Sequence, residues 1–301
     1  MEMKQLEIFV CVTRSLNFSK AAEEMYISQP SVSTHIRTLE KTLGTQLLVR
    51  STKGVSLTKS GLDFLVYAKK ILSLRDQALH DLNSADQHIN GVIDIVSSTI
   101  PAQHLLPEII SSFQTQWPNI IFRVEQFDSR GVEQAMSGFR YDFGMVGTIP
   151  GGDHFNCRLI YDDELVLALP NNTHQKSEFI RENFATYILQ SPFIMREIGS
   201  GTRAEIEILL AKIGIDLHDL HIPAYFSDAH SILLAVSRGM GVSLIPKVAA
   251  AMYVEAGLVR TVEMDNPLFR RQIYLLYNKA LLLSPAQQAF ADHAEQFYRN
   301  E

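Results

Sequence analysis

The sequence predicts an α+β multi-domain protein: an N-terminal winged helix-turn-helix, a long linker helix and a C-terminal two-lobe α/β domain. Three observations predict it. Apolar residues recur at helical spacing in the first sixty positions, residues 59–86 lack proline, and short β-branched runs alternate with helical stretches from residue 91. The 301 residues suffice for two or three domains. We place the domains at 1–58, 59–90 and 91–301.

Charge divides the chain in the same way. Residues 1–60 hold eight Lys and Arg against five Asp and Glu, whereas residues 91–301 hold 16 against 24. A small basic unit joined to a larger acidic one suggests that the first part meets nucleic acid.

Other compositional features narrow the class of protein. No apolar run approaches the roughly 20 residues of a membrane helix, and the first residues do not resemble a signal peptide. Cys11 and Cys157 lie far apart without metal-ligand spacing. We therefore expect a cytoplasmic protein with reduced thiols and no membrane partner.

The most informative stretch of the N-terminal unit is 28–43. Ser28 is a suitable N-cap and Pro30 fits the first turn of a helix. One face of that helix is apolar, with Val32, Ile36, Leu39 and Leu43. The other offers hydroxyls and cations but no carboxylate, with Pro30, Ser33, Thr34, Arg37 and Lys41. Such a helix fits a DNA major groove, although any amphipathic helix with a solvated face has this pattern.

The neighbouring segments favour DNA binding. A first helix carries Leu6 and Phe9 on one face, and Ser19 is placed to cap a second helix that ends near Met25. Two short apolar runs, 47–49 and 55–57, flank a Lys-Gly turn and predict a hairpin. The pattern is that of a winged helix-turn-helix, with the wing near DNA phosphates.

These residues resemble the N-terminal signature of LysR-type transcriptional regulators over about sixty positions without a gap. The signature comprises 18–22, 28–33, 36–40, Leu43, Gly44, Leu47, Arg50 and 57–61. Thr34 stands where family members often have a basic residue, so base reading here depends less on arginine. Leu48 replaces a usual Phe, which we interpret as core variation. His35 fits either packing at the helix flank or a phosphate contact.

The resemblance implies a set of DNA-binding residues. Those that face bases or nearby phosphates are Gln29, Ser31, Ser33, Thr34 and Arg37. Pro30 and Lys41 are added because they lie on the polar face of the helix, and His35 is added for its alternative as a phosphate contact. Those that grip the backbone from the wing are Arg50, Thr52 and Lys53.

The linker helix is predicted over 59–86. Its heptad positions are Leu65, Leu72 and Leu79 on one row and Ala68, Arg75 and Leu82 on the other, with Arg75 interrupting the seam. A single helix packed on its own domain is the alternative. The resemblance implies a linker that pairs two chains at a dyad DNA site, within a homotetramer.

From residue 91 the chain alternates strands and helices, which predicts α/β lobes with a parallel sheet. Predicted strands of the first lobe are 92–96, 120–125, 143–147 and 272–277, and those of the second are 164–170, 193–195 and 242–246. The resemblance implies a type 2 periplasmic-binding-protein fold whose chain crosses between lobes near Asp162 and Asn266. Lobe I is then about 91–161 and 267–301, and lobe II about 162–266.

Ligands of open α/β sheets bind beyond the carboxyl ends of strands, and several such ends here carry hydroxyls. The turn 199–203 opens a helix, whose dipole favours an anion, although N-caps and turn glycines have the same pattern without a ligand. Arg203 could neutralise an anion or pair with an acid such as Glu197. The resemblance places an effector cleft at these positions: Ser98, Thr99, Thr148, Gly199, Ser200, Gly201, Thr202 and Arg203. Gln103 and Ser227 are weaker candidates.

We therefore expect a LysR-type regulator that binds promoter DNA and a small anionic effector. The sequence shows no metal-ligand spacing and no catalytic constellation, so neither a metal, a cofactor nor an enzymatic reaction is expected. RNA polymerase is a further expected partner. The alternatives are a two-lobe solute-binding protein and an enzyme fused to a helix-turn-helix.

Overall fold

The computed structural model describes residues 1–51, 54–82 and 89–299. The N-terminal part contains α1 (Met3–Ser15), α2 (Phe18–Glu24), α3 (Gln29–Leu43), β1 (Leu48–Ser51) and β2 (Gly54–Leu57). The two strands pair antiparallel, so the predicted wing is present. Phe9, Ile36, Leu39 and Leu47 are fully buried between these elements.

Local caps explain where these helices begin. The Ser28 side chain accepts a hydrogen bond from the Ser31 N–H at 3.3 Å, as predicted. The cap of α2 was predicted wrongly: Asn17, not Ser19, accepts from the N–H groups of Ser19 and Lys20. Both residue types cap helices well, and α2 begins one residue before Ser19.

The linker helix α4 (Lys59–Leu82) begins at a Thr58 cap, whose hydroxyl accepts from the Gly61 N–H at 2.8 Å. Its predicted last residues fall outside the described chain. The predicted seam is wrong in its first half, because Leu65 and Ala68 are fully buried in the winged-helix core of their own chain. Here the alternative, a helix packed on its own domain, holds.

Lobe I is built on strands β3 (Gly91–Ser97), β4 (Ile120–Gln126) and β5 (Phe143–Val146), with β3 parallel to both neighbours. Its helices are α5 (Leu106–Gln116), preceded by a π-turn at Pro101–Leu105, α6 (Ser129–Ser137) and α12 (Pro285–Phe297). Phe113, Phe143 and Phe290 fill its core.

The lobes share one long strand, β6 (Phe155–Pro170). Up to Glu164 it pairs antiparallel with β11 (Arg270–Asn278), and from Leu165 it pairs with β9 (Ser243–Pro246) and β10 (Val259–Val262). The predicted parallel pairing is present among β3, β4 and β5, but the sheet as a whole is mixed because both crossings between lobes run as antiparallel strands.

The remaining elements complete lobe II. They are α7 (Ser177–Glu182), α8 (Phe184–Gln190), β7 (Met195–Arg196), α9 (Gly201–Lys212), β8 (Tyr225–Phe226), α10 (Ala229–Ser237) and α11 (Lys247–Glu255). The elements α7, α8, α11 and β10 were not predicted. Within the described ranges, no helix combines the length and apolarity needed to cross a membrane.

Candidate DNA-binding face and inter-lobe cleft

The outer face of α3 presents its polar residues to solvent. Pro30, Thr34, Arg37 and Lys41 are exposed, whereas Gln29, Ser31, Ser33 and His35 are half-buried. In the part of the chain that the structure describes, neither Arg37 nor Lys41 has a hydrogen bond or an ion pair, so both cations are available to phosphates.

The wing meets α3 through Arg50. Its Nη2 donates to the Ser33 Oγ at 3.3 Å, and its guanidinium lies 3.9 Å from the centre of the Phe18 ring. Gln29 Nε2 also donates to the Ser33 Oγ, at 3.0 Å. Ser33 thus links α3 to the wing. Thr52 and Lys53 fall outside the described residues.

Thr34, the residue that departs from the family pattern, has its hydroxyl turned to its own helix. The Oγ1 donates to the Pro30 carbonyl at 2.9 Å. Its proton is therefore engaged, which leaves the oxygen lone pairs and the methyl group for a base edge.

The cleft between the lobes contains two adjoining cavities. The smaller one is lined by Ser98, Thr99, Ile100, Asp128, Ser129, Gly147, Arg196, Ser200, Gly201, Thr202 and Arg271. The larger one, of about 420 Å³, is lined by Ser129, Arg130, Glu133, Thr148, Ile149, Pro150, Gly151, Ile198, Gly199, Ser200, Gly201, Arg203, Ala204 and Glu207. Eight of the ten predicted effector residues therefore lie together along the cleft.

Arg271 forms the floor of the smaller cavity, and its side chain is 4% exposed. Its Nη1 donates to the Thr202 Oγ1 at 3.0 Å and lies 3.0 Å from the Glu205 Oε2. Its Nε lies 3.5 Å from the Asp163 Oδ2, across the pairing of β11 with β6. One buried arginine thus connects both crossing strands to the start of α9.

Burial disfavours the charged forms of the two acids in this cluster, Asp163 and Glu205. Burial raises the pKa of Asp163, and Arg271 only partly offsets it. Burial likewise raises the pKa of Glu205, the nearby Asp163 carboxylate adds to the rise, and Arg271 and a hydrogen bond with Thr148 oppose it. The Glu205 Oε2 and the Arg271 Nε are buried and lack hydrogen bonds among the described residues, so this cluster is held by attraction between charges.

Two further cleft arginines, Arg196 and Arg203, lie close to each other. Arg196 is 3% exposed, binds the Glu197 carboxylate through Nε and Nη2, and donates to the Ser227 carbonyl. Arg203 donates to Glu207 at 2.7 Å and to the Arg196 carbonyl. Arg203 therefore pairs with an acid, as the alternative expected, but that acid is Glu207, because Arg196 occupies the Glu197 carboxylate.

Arg130 differs from these arginines. It lies in the first turn of α6, is exposed, lines the larger cavity, and has no hydrogen bond or ion pair with any described residue. The first turns of α6 and α9 both border this cavity, so two sets of helix N–H dipoles accompany a free cation.

Two glycines allow the lobes to come this close. A Cβ on Gly199 would lie 2.5 Å from the Asp128 Oδ2, and one on Gly201 would lie 2.5 Å from the Ser129 Oγ. Gly199 also has φ +101°, which disfavours any side chain. Position 199 therefore requires glycine for its backbone conformation, whereas a side chain at 201 would force the Ser129 hydroxyl to move.

Two predicted residues lie elsewhere. Gln103 is exposed, donates to Gln126, and lines neither cavity. Ser227 also lines neither cavity, and contributes only its carbonyl to Arg196. Asp128, Ser129 and Arg130 were missed, although they follow the carboxyl end of β4 and the strand-end rule could have found them. Nothing in the sequence marks Arg271.

Comparison with known proteins agrees with this arrangement. A family model described as "Bacterial regulatory helix-turn-helix protein, lysR family" matches residues 3–62, and one described as "LysR substrate binding domain" matches 86–299. An uncharacterized HTH-type transcriptional regulator of Methanocaldococcus jannaschii is 31% identical over 278 residues, covering 92% of this chain and 93% of that protein.

Solved structures show the same fold. A full-length OxyR variant from Pseudomonas aeruginosa superposes with a TM-score of 0.73 at 18% identity, over 98% of both chains. The effector-binding domain of QuiR in complex with shikimate superposes with a TM-score of 0.59 at 22% identity, over 71% of this chain and 99% of that one.

The helix-turn-helix match removes the basis for a stand-alone solute-binding protein. With a DNA-binding head and a two-lobe effector domain matched along nearly its whole length, the chain belongs to the LysR family of transcriptional regulators.

Proposed function

We propose that this regulator binds an inverted-repeat promoter site through α3 and the wing of paired chains, and that a small organic anion between the lobes alters the spacing of the paired heads. The observation that carries the DNA reading is the exposed face of α3, where Arg37 and Lys41 are unpaired among the described residues. We place this activity in the cytoplasm, where the promoter would be.

The residues of the DNA face divide by role. Arg37 and Lys41 supply mobile cations for phosphates or base edges, whereas Arg50 is held in place by Phe18 and Ser33. Contacts to phosphates fix the register of the protein on the duplex, whereas contacts to base edges read the sequence. Thr34 suits an apolar contact with a thymine methyl, because its hydroxyl proton is bound to Pro30.

The effector is assigned as an anion because of Arg130. The other cleft arginines, Arg196, Arg203 and Arg271, each pair with a carboxylate, so Arg130 is the available cation at the larger cavity in the described chain. The N-termini of α6 and α9 add N–H donors beside it. Shikimate, the ligand of the similar QuiR domain, is a carboxylate, which supports this class of effector.

A second copy of the chain is the partner assigned to α4. Tyr67 and Leu74 are 63% and 60% exposed. Together with Ile71 and Ala78 they form a row in which successive residues are four, three and four positions apart. This spacing forms a heptad seam, in which Tyr67, Leu74 and Ala78 are exposed and Ile71 is half-buried against the winged-helix core. We propose it as the dimer interface; the homotetramer and contact with RNA polymerase stay predictions.

We assign no catalytic reaction to the cleft. The bound molecule is an effector, and we expect it to be recovered unchanged after prolonged incubation with the protein. Chemical turnover would contradict this assignment.

Footprinting on the promoter beside the protein's own gene tests the proposed DNA binding. We expect salt-dependent, site-selective protection of two half-sites about one helical turn apart. Uniform weak protection of all sequences would overturn it.

A thermal-shift screen of small metabolic carboxylates and phosphates tests the effector assignment. A binding anion raises the unfolding temperature by mass action. Stabilisation by neutral or cationic compounds, with no response to any anion, would contradict it.

A further inference from the structure

Lobe I contacts the winged helix of its own chain at the end opposite the cleft. Arg14, at the end of α1, donates from Nη1 to the Asp94 Oδ2 at 2.9 Å, and Lys69 of α4 donates to the Asp142 Oδ1 at 3.3 Å. Asp142 Oδ2 in turn accepts from the Asp94 N–H at 3.0 Å. The two acids therefore form one unit of lobe I, bound by one cation from α1 and one from α4.

A second part of this contact surrounds Glu24, at the end of α2. Its carboxylate binds Arg14 of its own domain and also the Nη2 of Arg123 on β4, at 3.0 Å. Arg123 Nη1 also lies 3.8 Å from the Asp94 Oδ1. Charges of both domains alternate along the contact, and Arg14, Lys69, Asp94 and Asp142 are largely withdrawn from solvent.

An apolar side chain accompanies these ion pairs. Phe139 of lobe I packs against the winged-helix core and borders a cavity of about 190 Å³ together with Val10 and Leu72. Its φ is +54°, a conformation that costs energy for any residue with a Cβ. Packing against the head offsets that cost.

Helix α6 connects this contact with the cleft. Its first turn carries Ser129 and Arg130, which line the cleft, and Phe139 lies two residues beyond its last residue. Nine helical residues span about 13 Å, so one rigid helix reaches from one site to the other.

We infer that the winged helix is docked on lobe I of its own chain through Phe139 and the ion pairs of Arg14, Lys69 and Arg123, and that α6 transmits displacement at the cleft to this dock. The dock sets the orientation of the head. Its consequence for DNA rests on the proposed function, whereas the dock itself does not.

The dock is tested by a distance measurement between spin labels in the full chain without DNA or effector. One label is placed on the exposed Cys157 of lobe I and the other on Lys20→Cys of α2, while the buried Cys11 stays unlabelled. Labelled chains are diluted with unlabelled ones so that distances within one chain dominate. The wild-type distribution should contain a narrow component.

Phe139→Gly should abolish that component, because it removes the ring and also relieves the backbone. The matched control is Asp265→Gly, which relieves a φ of +45° away from the dock and should keep the narrow component. The proposal would be overturned by any of three results. The narrow component could be absent from the wild type, it could persist in Phe139→Gly, or it could be lost in the Asp265→Gly control.

A charge variant keeps the test decisive if Phe139→Gly folds poorly. Lys69→Met leaves the Asp142 carboxylate without its cation and should broaden the distribution, whereas Lys69→Met with Asp142→Asn removes both charges and should restore it. A narrow component in the single variant would contradict the dock.

Affinity for a full inverted repeat relative to a half-site tests the consequence for DNA. Phe139→Gly, which releases the winged helix from lobe I, should lower that ratio by about tenfold. The winged helix of the second chain is then no longer positioned at the second half-site. An unchanged ratio would overturn the orienting role. Absence of any wild-type footprint would instead overturn the proposed function and leave the distance result standing.

Discussion

The α3 face and the inter-lobe cleft both carry arginines, but in opposite states. Arg37 is exposed and unpaired among the described residues, whereas Arg196 and Arg271 are buried against carboxylates. A polyanion is bound by exposed cations that release counterions, while a small ligand is bound by groups fixed in advance. We therefore expect DNA affinity to depend strongly on salt concentration. Effector affinity should depend instead on the geometry of a few side chains.

The largest expected effect is on the DNA side. Arg37→Ala should weaken specific DNA binding by about 1–3 kcal/mol, because it removes a free cation from the recognition face. Titration of a promoter fragment by footprinting measures it. The matched control is Arg270→Ala, an exposed arginine of β11, which should leave affinity unchanged. If both variants weakened DNA binding equally, the role assigned to Arg37 on the α3 face would be contradicted.

On the cleft side, Thr202→Val should lower the free energy of unfolding by about 2 kcal/mol, because the buried Arg271 Nη1 loses the oxygen that accepts its hydrogen bond. Denaturant unfolding of the full chain measures it, and Thr202→Ser, which keeps the oxygen, should behave like the wild type. If valine were tolerated as well as serine, Arg271 would not depend on Thr202.

Arg130 combines features of both regions, since it is exposed like Arg37 but lines the cleft. Arg130→Ala should weaken binding of the stabilising anion by about 1 kcal/mol, roughly fivefold, without altering DNA affinity. Calorimetry measures it, with Arg238→Ala as an exposed control in lobe II. Unaltered anion affinity would remove Arg130 from the site.

The smallest effect concerns Glu205. Its raised pKa means that the folded state binds the proton more tightly, so stability is lost as pH rises from the ordinary pKa of glutamate to the raised value. Glu205→Gln should therefore be more stable than the wild type at about pH 7 and similar to it near pH 4. Urea unfolding at both pH values measures this, with the rim residue Glu133→Gln as control. Lower stability of Glu205→Gln at neutral pH would contradict the assignment.

Local signals made the winged helix predictable. The Ser28 cap, Pro30 and the apolar row of α3 all act within a few residues, so they can be read directly. The seam of α4 was misplaced because periodicity does not tell which face the same domain covers; α1 covers Leu65 and Ala68.

The cleft was only partly predictable. Strand ends and helix starts indicated Ser98, Thr148 and 199–203, because these features are local. Arg271 becomes part of the site through the register of β11 on β6, which pairs it with Asp163. A single sequence does not reveal contacts between residues that are so far apart along the chain. The contact of Phe139 with the winged helix could not be predicted for the same reason.

The most direct test of the difference between the two regions is the salt dependence of affinity for the promoter site. If Arg37 and Lys41 of α3 and Arg50 of the wing bind phosphates, log K should fall linearly and steeply with log salt, by about 0.9 per phosphate contacted. Arg37→Ala should then reduce the slope by about one. A flat dependence, or a slope that Arg37→Ala leaves unchanged, would contradict it.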